Sequence, residues 1–160
     1  MIPPETNVQR ITELVHAVLA KWDGRALTLS DARSLARLAE SKAIETGVPM
    51  VISIVDAAGT PIVLHRMDNA LPASVELAVN KAYTAAIFRM ATHELGVQAQ
   101  PGRALYGVQT THHGRVVIFG GGYPVLRGGV VIGAIGISGG TVEQDMQIAS
   151  HALQTFLAEA

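Results

Sequence analysis

Glycine constrains this chain more than any other residue type. There are sixteen glycines in 160 residues, and they crowd positions 120–140. Gly120-Gly121-Gly122 breaks the pattern, Gly128-Gly129 separates two short apolar runs, and Gly139-Gly140 leads into a last amphipathic segment. A two-residue Gly-Gly connection suits a type I′ or II′ hairpin turn, so Tyr123–Leu126 and Val130–Ser138 read as paired strands. The uncharged run from Gly128 is too short and too rich in glycine for a membrane span.

The rest of the chain is organised around that hairpin. Val8, Ile11, Leu14, Val15, Val18, Leu19 and Trp22 recur at helical spacing, and Asp23-Gly24 ends the segment. Residues 1–24 read as an N-terminal amphipathic helical extension, ahead of a domain over residues 25–160. Its apolar face must bury against the domain or against another subunit. Ser30 and Asp31 offer an N-cap and a first-turn charge for a second helix. That helix is striped by Ala32, Leu35, Ala36, Ala39 and Ala43, with Gly47 at C′ and Pro49 beyond. Residues 50–55 and 61–67 read as a hairpin around Asp56-Ala-Ala-Gly-Thr60. Residues 73–90 read as a third helix, and Thr92 as the cap of a short helical piece that Gly96 limits. Residues 104–111 and 115–119 read as strands joined by His112-His113-Gly114. The last helix starts at Thr141, striped by Val142, Met146, Ala149, Leu153 and Phe156. Hairpins outnumber βαβ crossovers, which favours an α+β domain with an antiparallel sheet covered by helices.

Composition excludes several classes of function. Charged residues are only 16% of the chain, against about 25% in typical domains. The net charge is −1, so there is no basic excess to neutralise the phosphates of a nucleic acid. Low charge suggests that other subunits cover part of the surface, which predicts a homo-oligomer. With no cysteine, disulfides, thiolate metal sites and cysteine nucleophiles are ruled out. Glu5, Arg10, Glu13, Lys21 and Asp23 leave no signal-peptide core. The expectation is a soluble, cytoplasmic protein that needs no membrane.

Few residues offer chemistry. Ser138-Gly-Gly-Thr141 opens a helix, where backbone amides can hold an anion; a tight strand-to-helix turn is the plainer reading, since every helix start offers such amides. Thr141 and Gln144 match a capping box. Glu143 and Asp145 suit a helix start, but at i and i+2 they make a weak acid/base pair. The histidines form no His-x-x-x-His pair, so no structural metal is predicted. His112-His113 reads as an exposed hairpin tip. Lys81, among small and apolar neighbours, needs a partner if its helix is buried; as a functional group it would hook a carboxylate or propionate. No nucleophile elbow occurs.

Several segments together resemble the GlcG/HbpS family. They are Asp56-Ala-Ala-Gly59, Arg66-Met67-Asp68, Asn80-Lys81-Ala82-Tyr83-Thr84-Ala85, Gln100-Pro101-Gly102, Leu105-Tyr106-Gly107, Phe119-Gly-Gly-Gly122 and the run Ile132–Asp145. With Thr92-His93-Glu94-Leu95, the likeness is strongest to the C-terminal domain of PduO-type corrinoid adenosyltransferases. The resemblance covers roughly residues 27–158. It implies a profilin-like or PAS-like antiparallel sheet of about five strands flanked by helices, and self-association into dimers or larger rings. It also implies binding of haem, with cobalamin as a second possible ligand.

The expected role is therefore a haem or tetrapyrrole-binding accessory protein of a small-molecule catabolic pathway. Adenosyltransferase activity is not expected, because the catalytic domain of that enzyme has no counterpart here. The matched ligand-binding positions are Arg66, Lys81, Thr84, Tyr106, Gly120, Gly121, Gly139, Gly140 and Glu143. His93 is the first choice of axial haem ligand and His65 the second. Two alternatives stay open. One is a small-molecule enzyme of lyase or isomerase type using Arg66, Lys81 and Glu143 in a polar pocket. The other is a structural or assembly module without a ligand.

Overall fold

The computed structural model describes residues 4–23 and 26–159. Helix α1 spans Pro4–Asp23. Val8, Ile11, Leu14 and Val15 are all exposed on it, and among the described residues it packs on no other element. The side chains of Val18, Leu19 and Trp22, and the whole of Gly24, lie outside the described residues.

Helix α2 spans Leu29–Thr46. Thr28 caps it, not Ser30, and Asp31 is the expected first-turn charge: the Thr28 hydroxyl accepts the Asp31 N–H, and the Asp31 carboxylate accepts the Thr28 N–H, each at 3.1 Å. A Thr-x-x-Asp box satisfies two orphan amides at once, and a cap two residues later would satisfy fewer. Gly47 takes the left-handed C′ position. Strands β1 (Val51–Asp56) and β2 (Pro61–Arg66) form the expected hairpin. Asp56 Oδ1 fixes its turn by accepting the N–H groups of Ala58 and Thr60. Helix α3 spans Ser74–Phe88 and α4 spans Thr92–Gln98.

The segment after α4 departs from the expectation of two strands. Residues 104–119 hold two single-turn 3₁₀ pieces, Val108–Thr110 and His112–Gly114. Gly107, inside the first expected strand, has a φ of 90°, residues 108–110 turn as a 3₁₀ piece, and residues 115–119 pair with no strand. The apolar run behind them finds a side-chain partner instead of a ladder: the Val117 N–H donates to Thr84 Oγ1 at 3.0 Å. The sheet therefore has four strands rather than about five. Strands β3 (Gly122–Arg127) and β4 (Val130–Ser138) complete it in the antiparallel order β2-β1-β4-β3. Gly128 and Gly129 both have positive φ, as a type I′ turn requires. Helix α5 (Val142–Glu159) follows, started by the Thr141–Gln144 capping box.

Helices cover both faces of the sheet. Helices α2 and α5 lie on one, packing Leu35, Ala39, Ile148 and Phe156 against Ile52, Ile54, Ile135 and Ile137. Helix α3 lies on the other, packing Ala78, Ala82, Ala85 and Ala86 against Val51, Val55 and Ala134. The alanine stripe lets α3 come unusually close. Gly136 and Gly122 are paired across β4 and β3 beneath it. A Cβ on Gly136 would collide with the Ala78 carbonyl, and one on Gly122 would come within 2.5 Å of the Lys81 carbonyl. That close approach lets the Lys81 side chain, in the middle of α3, reach Asp145 at the start of α5.

Candidate functional site

Lys81 is fully buried under α3. Its Nζ donates to Asp145 Oδ2 at 2.6 Å and to the Ile137 carbonyl at 2.9 Å. Asp145 Oδ1 accepts the Gly140 N–H at 3.1 Å. Gly121 makes room for the ammonium, since a Cβ there would stand 2.8 Å from Nζ. The exposed Phe119 ring lies 5.1 Å from Nζ. Burial pushes the Lys81 ammonium below the ordinary lysine range and the Asp145 carboxyl above its own. The contact between the two opposes both shifts.

Lys81, Gly121, Gly139 and Gly140 thus do meet, as the sequence suggested. The anion between them is the protein's own carboxylate. Asp145 takes the ammonium and the turn amide that a ligand would otherwise use. Gly120 packs on the Met146 side chain beside this cluster.

Arg66 stands elsewhere. It is exposed at the end of β2, and its Nη2 donates to the Ala70 carbonyl at 3.4 Å. It borders an open groove of about 400 Å³ between β2 and the end of α2, with Glu40, Ile44, Val48 and Met67. Its neighbour His65 pairs Nδ1 with Glu40 Oε2 at 3.3 Å. Glu143 is exposed on the first turn of α5, where its backbone amide and the Thr141 hydroxyl hold its carboxyl below the ordinary range. Arg66, Lys81 and Glu143 therefore make separate contacts and share none.

Thr84 is buried and structural in its contacts: its hydroxyl donates to the Asn80 carbonyl and accepts from Val117. Tyr106 is 65% exposed. Thr92 does not cap α4. Ala91 stands at that position, with its N–H held by Glu94, and the Thr92 hydroxyl accepts the Gly122 N–H instead. His93 is half-buried in α4, its ring 5.5 Å from that of Tyr123. Its Nδ1 is buried and has no hydrogen-bond partner among the described residues. The Tyr123 phenol is pushed up by burial and by the Glu94 charge. No group of three or more His, Asp or Glu converges on a metal position among the described residues.

A second polar cluster escaped the sequence reading. The Arg115 guanidinium stacks on Tyr83, 3.8 Å from the ring centroid, and its Nε donates to Asn80 Oδ1 at 3.2 Å. The Tyr83 hydroxyl meets His112 Nδ1 at 3.2 Å. The His112 ring also lies edge-on to Tyr83 and Phe88. His112 and His113 hold φ of 51° and 58°, which costs about 1–2 kcal/mol each. The only trace of this cluster in the sequence is the spacing of Asn80, Tyr83, Thr84 and Phe88 along one helical stripe.

Comparison with known proteins agrees with this architecture. The family model described as haem degrading protein HbpS-like matches residues 27–154. An uncharacterized 15.0 kDa protein in the dhaT-dhaS intergenic region of Citrobacter freundii is 50% identical over 130 residues, covering 81% of this chain and 92% of that one. Corrinoid adenosyltransferase PduO of Salmonella typhimurium is 52% identical over 128 residues, covering 80% of this chain but only 38% of that longer protein. A solved PduOC–haem complex superimposes with a TM-score of 0.78 at 52% identity, covering 81% of this chain and 94% of the other.

Proposed function

The chain belongs to the HbpS-like family, and on that premise we propose that it binds haem or a related tetrapyrrole as an accessory protein of a small-molecule catabolic pathway. The observation that carries this reading is the 52% likeness to a domain solved with haem, over 94% of that domain. The chain matches 38% of the longer Salmonella adenosyltransferase, and adenosyl transfer is not part of this proposal.

The residues present fit such a ligand. A haem needs an axial donor, an apolar wall and a cation for its propionates. His93 has a buried Nδ1 that no group among the described residues engages, so that nitrogen is not committed to a hydrogen bond with them. His65 is the second donor: Glu40 Oε2 stands 3.3 Å from its Nδ1, which leaves Nε2 as the atom to ligate. Val97, Leu105 and Phe119 supply exposed apolar side chains. Bound haem would supply an iron centre. The chain's part is to ligate it, orient it and shield it from water.

Ferric haem titrated into wild type, His93→Ala and His65→Ala tests the reading. We expect a saturable Soret band in wild type, and loss of its six-coordinate low-spin form in one variant. Identical Soret positions and affinities in all three would remove both histidines. Hydroxocobalamin in parallel separates a corrinoid preference from a haem preference.

The same reading includes self-association, at least to a dimer. Two features support it: low charge content and the exposed apolar stripe on α1. Light scattering at micromolar concentration that gives the 16.8 kDa monomer mass would overturn it. No described helix is long and apolar enough to cross a membrane.

A further inference from the structure

We propose that Arg115 is the receptor for a carboxylate, in a site built by Tyr83, Asn80 and His112 on the outer side of α3. The proposal stands apart from the haem reading, because it asks only for a carboxylate. A propionate of a tetrapyrrole is one source and a free small acid is another.

Three observations carry it. First, the guanidinium is held in place before any ligand arrives. Its face lies on Tyr83 at 3.8 Å and its Nε donates to Asn80 Oδ1. Tyr83 is itself held at its ring edge by Gly59, where a Cβ would come within 2.6 Å of the ring. Second, the charge has no partner. Among the described residues no carboxylate pairs with Arg115. With Nε occupied, the two Nη atoms present parallel N–H groups, the fork that matches a carboxylate in bidentate fashion. Third, the backbone beside it is strained. His112 and His113, neither of them glycine, are both left-handed, and such strain collects at functional sites. That strain sets His112 against the Tyr83 hydroxyl, next to the guanidinium.

The Asn80 contact orients the Arg115 charge while leaving it unneutralised. Stacking and the Nε bond lower the rotamer entropy lost when a ligand binds, so a bound carboxylate meets a fork already fixed.

The test is sodium succinate titrated into the full chain, followed by the Arg115 Nε–H and His112 imidazole resonances. We expect saturable shifts at both. Arg115→Lys keeps the charge but loses the fork, and should weaken succinate binding by about tenfold or more. Tyr83→Leu, which removes the stack, should weaken it similarly. Tyr83→Phe keeps the stack and should stay within about threefold. Melting temperatures of each variant confirm folding. Unsaturable shifts, or equal succinate affinity in wild type and Arg115→Lys, would overturn the proposal. Tighter binding of inorganic phosphate than of succinate would overturn the choice of carboxylate.

Haem and haem dimethyl ester then separate the two sources. A propionate ligand predicts that the ester binds wild type about as weakly as haem binds Arg115→Lys. Equal binding of haem and ester, with succinate still read at Arg115, assigns the site to a free acid. No Soret change with succinate still bound would overturn the haem reading and leave this one intact.

Discussion

Two cations flank α3 and have opposite fates. Lys81 points under the helix, where Asp145, the Ile137 carbonyl and Gly121 enclose it. Arg115 lies along the outer side, fixed by Tyr83 and Asn80 but without a counter-ion among the described residues. The first arrangement resembles a binding site in sequence because it gathers a lysine, a glycine turn and a helix start. Its anion is already supplied, so its contribution is to tie α3, β4 and α5 together. The second resembles an exposed loop in sequence, yet its charge is oriented and uncommitted. The difference teaches that a buried cation with satisfied partners marks architecture. A cation that is fixed but unpaired keeps its charge available to another group.

The largest expected effect comes from breaking the inner pair one side at a time. Asp145→Ala leaves a buried, unpaired ammonium and should cost about 3–5 kcal/mol. For a chain of this size that is a fall on the order of 10 °C in melting temperature. The double variant Lys81→Met with Asp145→Leu removes both charges and should recover most of the loss, since apolar replacement of a buried pair is often near neutral. If the double variant melts no higher than the single, the pair is not a closed tie.

Gly121→Ala comes next. Its new methyl would meet the Ile137 carbonyl and the Lys81 ammonium at 2.8 Å, at a φ of +113°. We expect a loss of about 1–3 kcal/mol, measured by urea unfolding. Thr84→Val sharpens the comparison from the outer side. It strands the Val117 N–H, which should cost about 1–3 kcal/mol, and it loosens the segment that carries Arg115. A fall in stability without any fall in succinate affinity would separate that segment's anchoring from its binding. The smallest effect is His113→Gly, which relieves a left-handed backbone. It should raise stability by about 1 kcal/mol. A loss there would show that the loop is not strained.

Local signals were legible in the sequence and long-range ones were not. The Gly128-Gly129 turn, the Gly47 C′ position, the α2 alanine stripe and the Thr141–Gln144 box all depend on neighbours within a few residues. Each stands as expected. Lys81 was recognisable as a group in need of a partner, but Asp145 lies 64 residues away and no spacing rule connects them. Residues 115–119 have strand propensity, yet Thr84 captures the Val117 amide and Gly96 packs against the Ile118 carbonyl. Tertiary partners overrode the local preference. The Arg115 cluster joins residues 80, 83, 112 and 115, and only the folded chain brings them together.

Tetrapyrrole binding by this chain stands or falls on ferric haem titrated into the wild-type protein. The prediction is a Soret band that shifts from that of free haem and saturates at a fixed ratio of haem to chain. A band that stays at the position of free haem, or that grows without saturating, would contradict it.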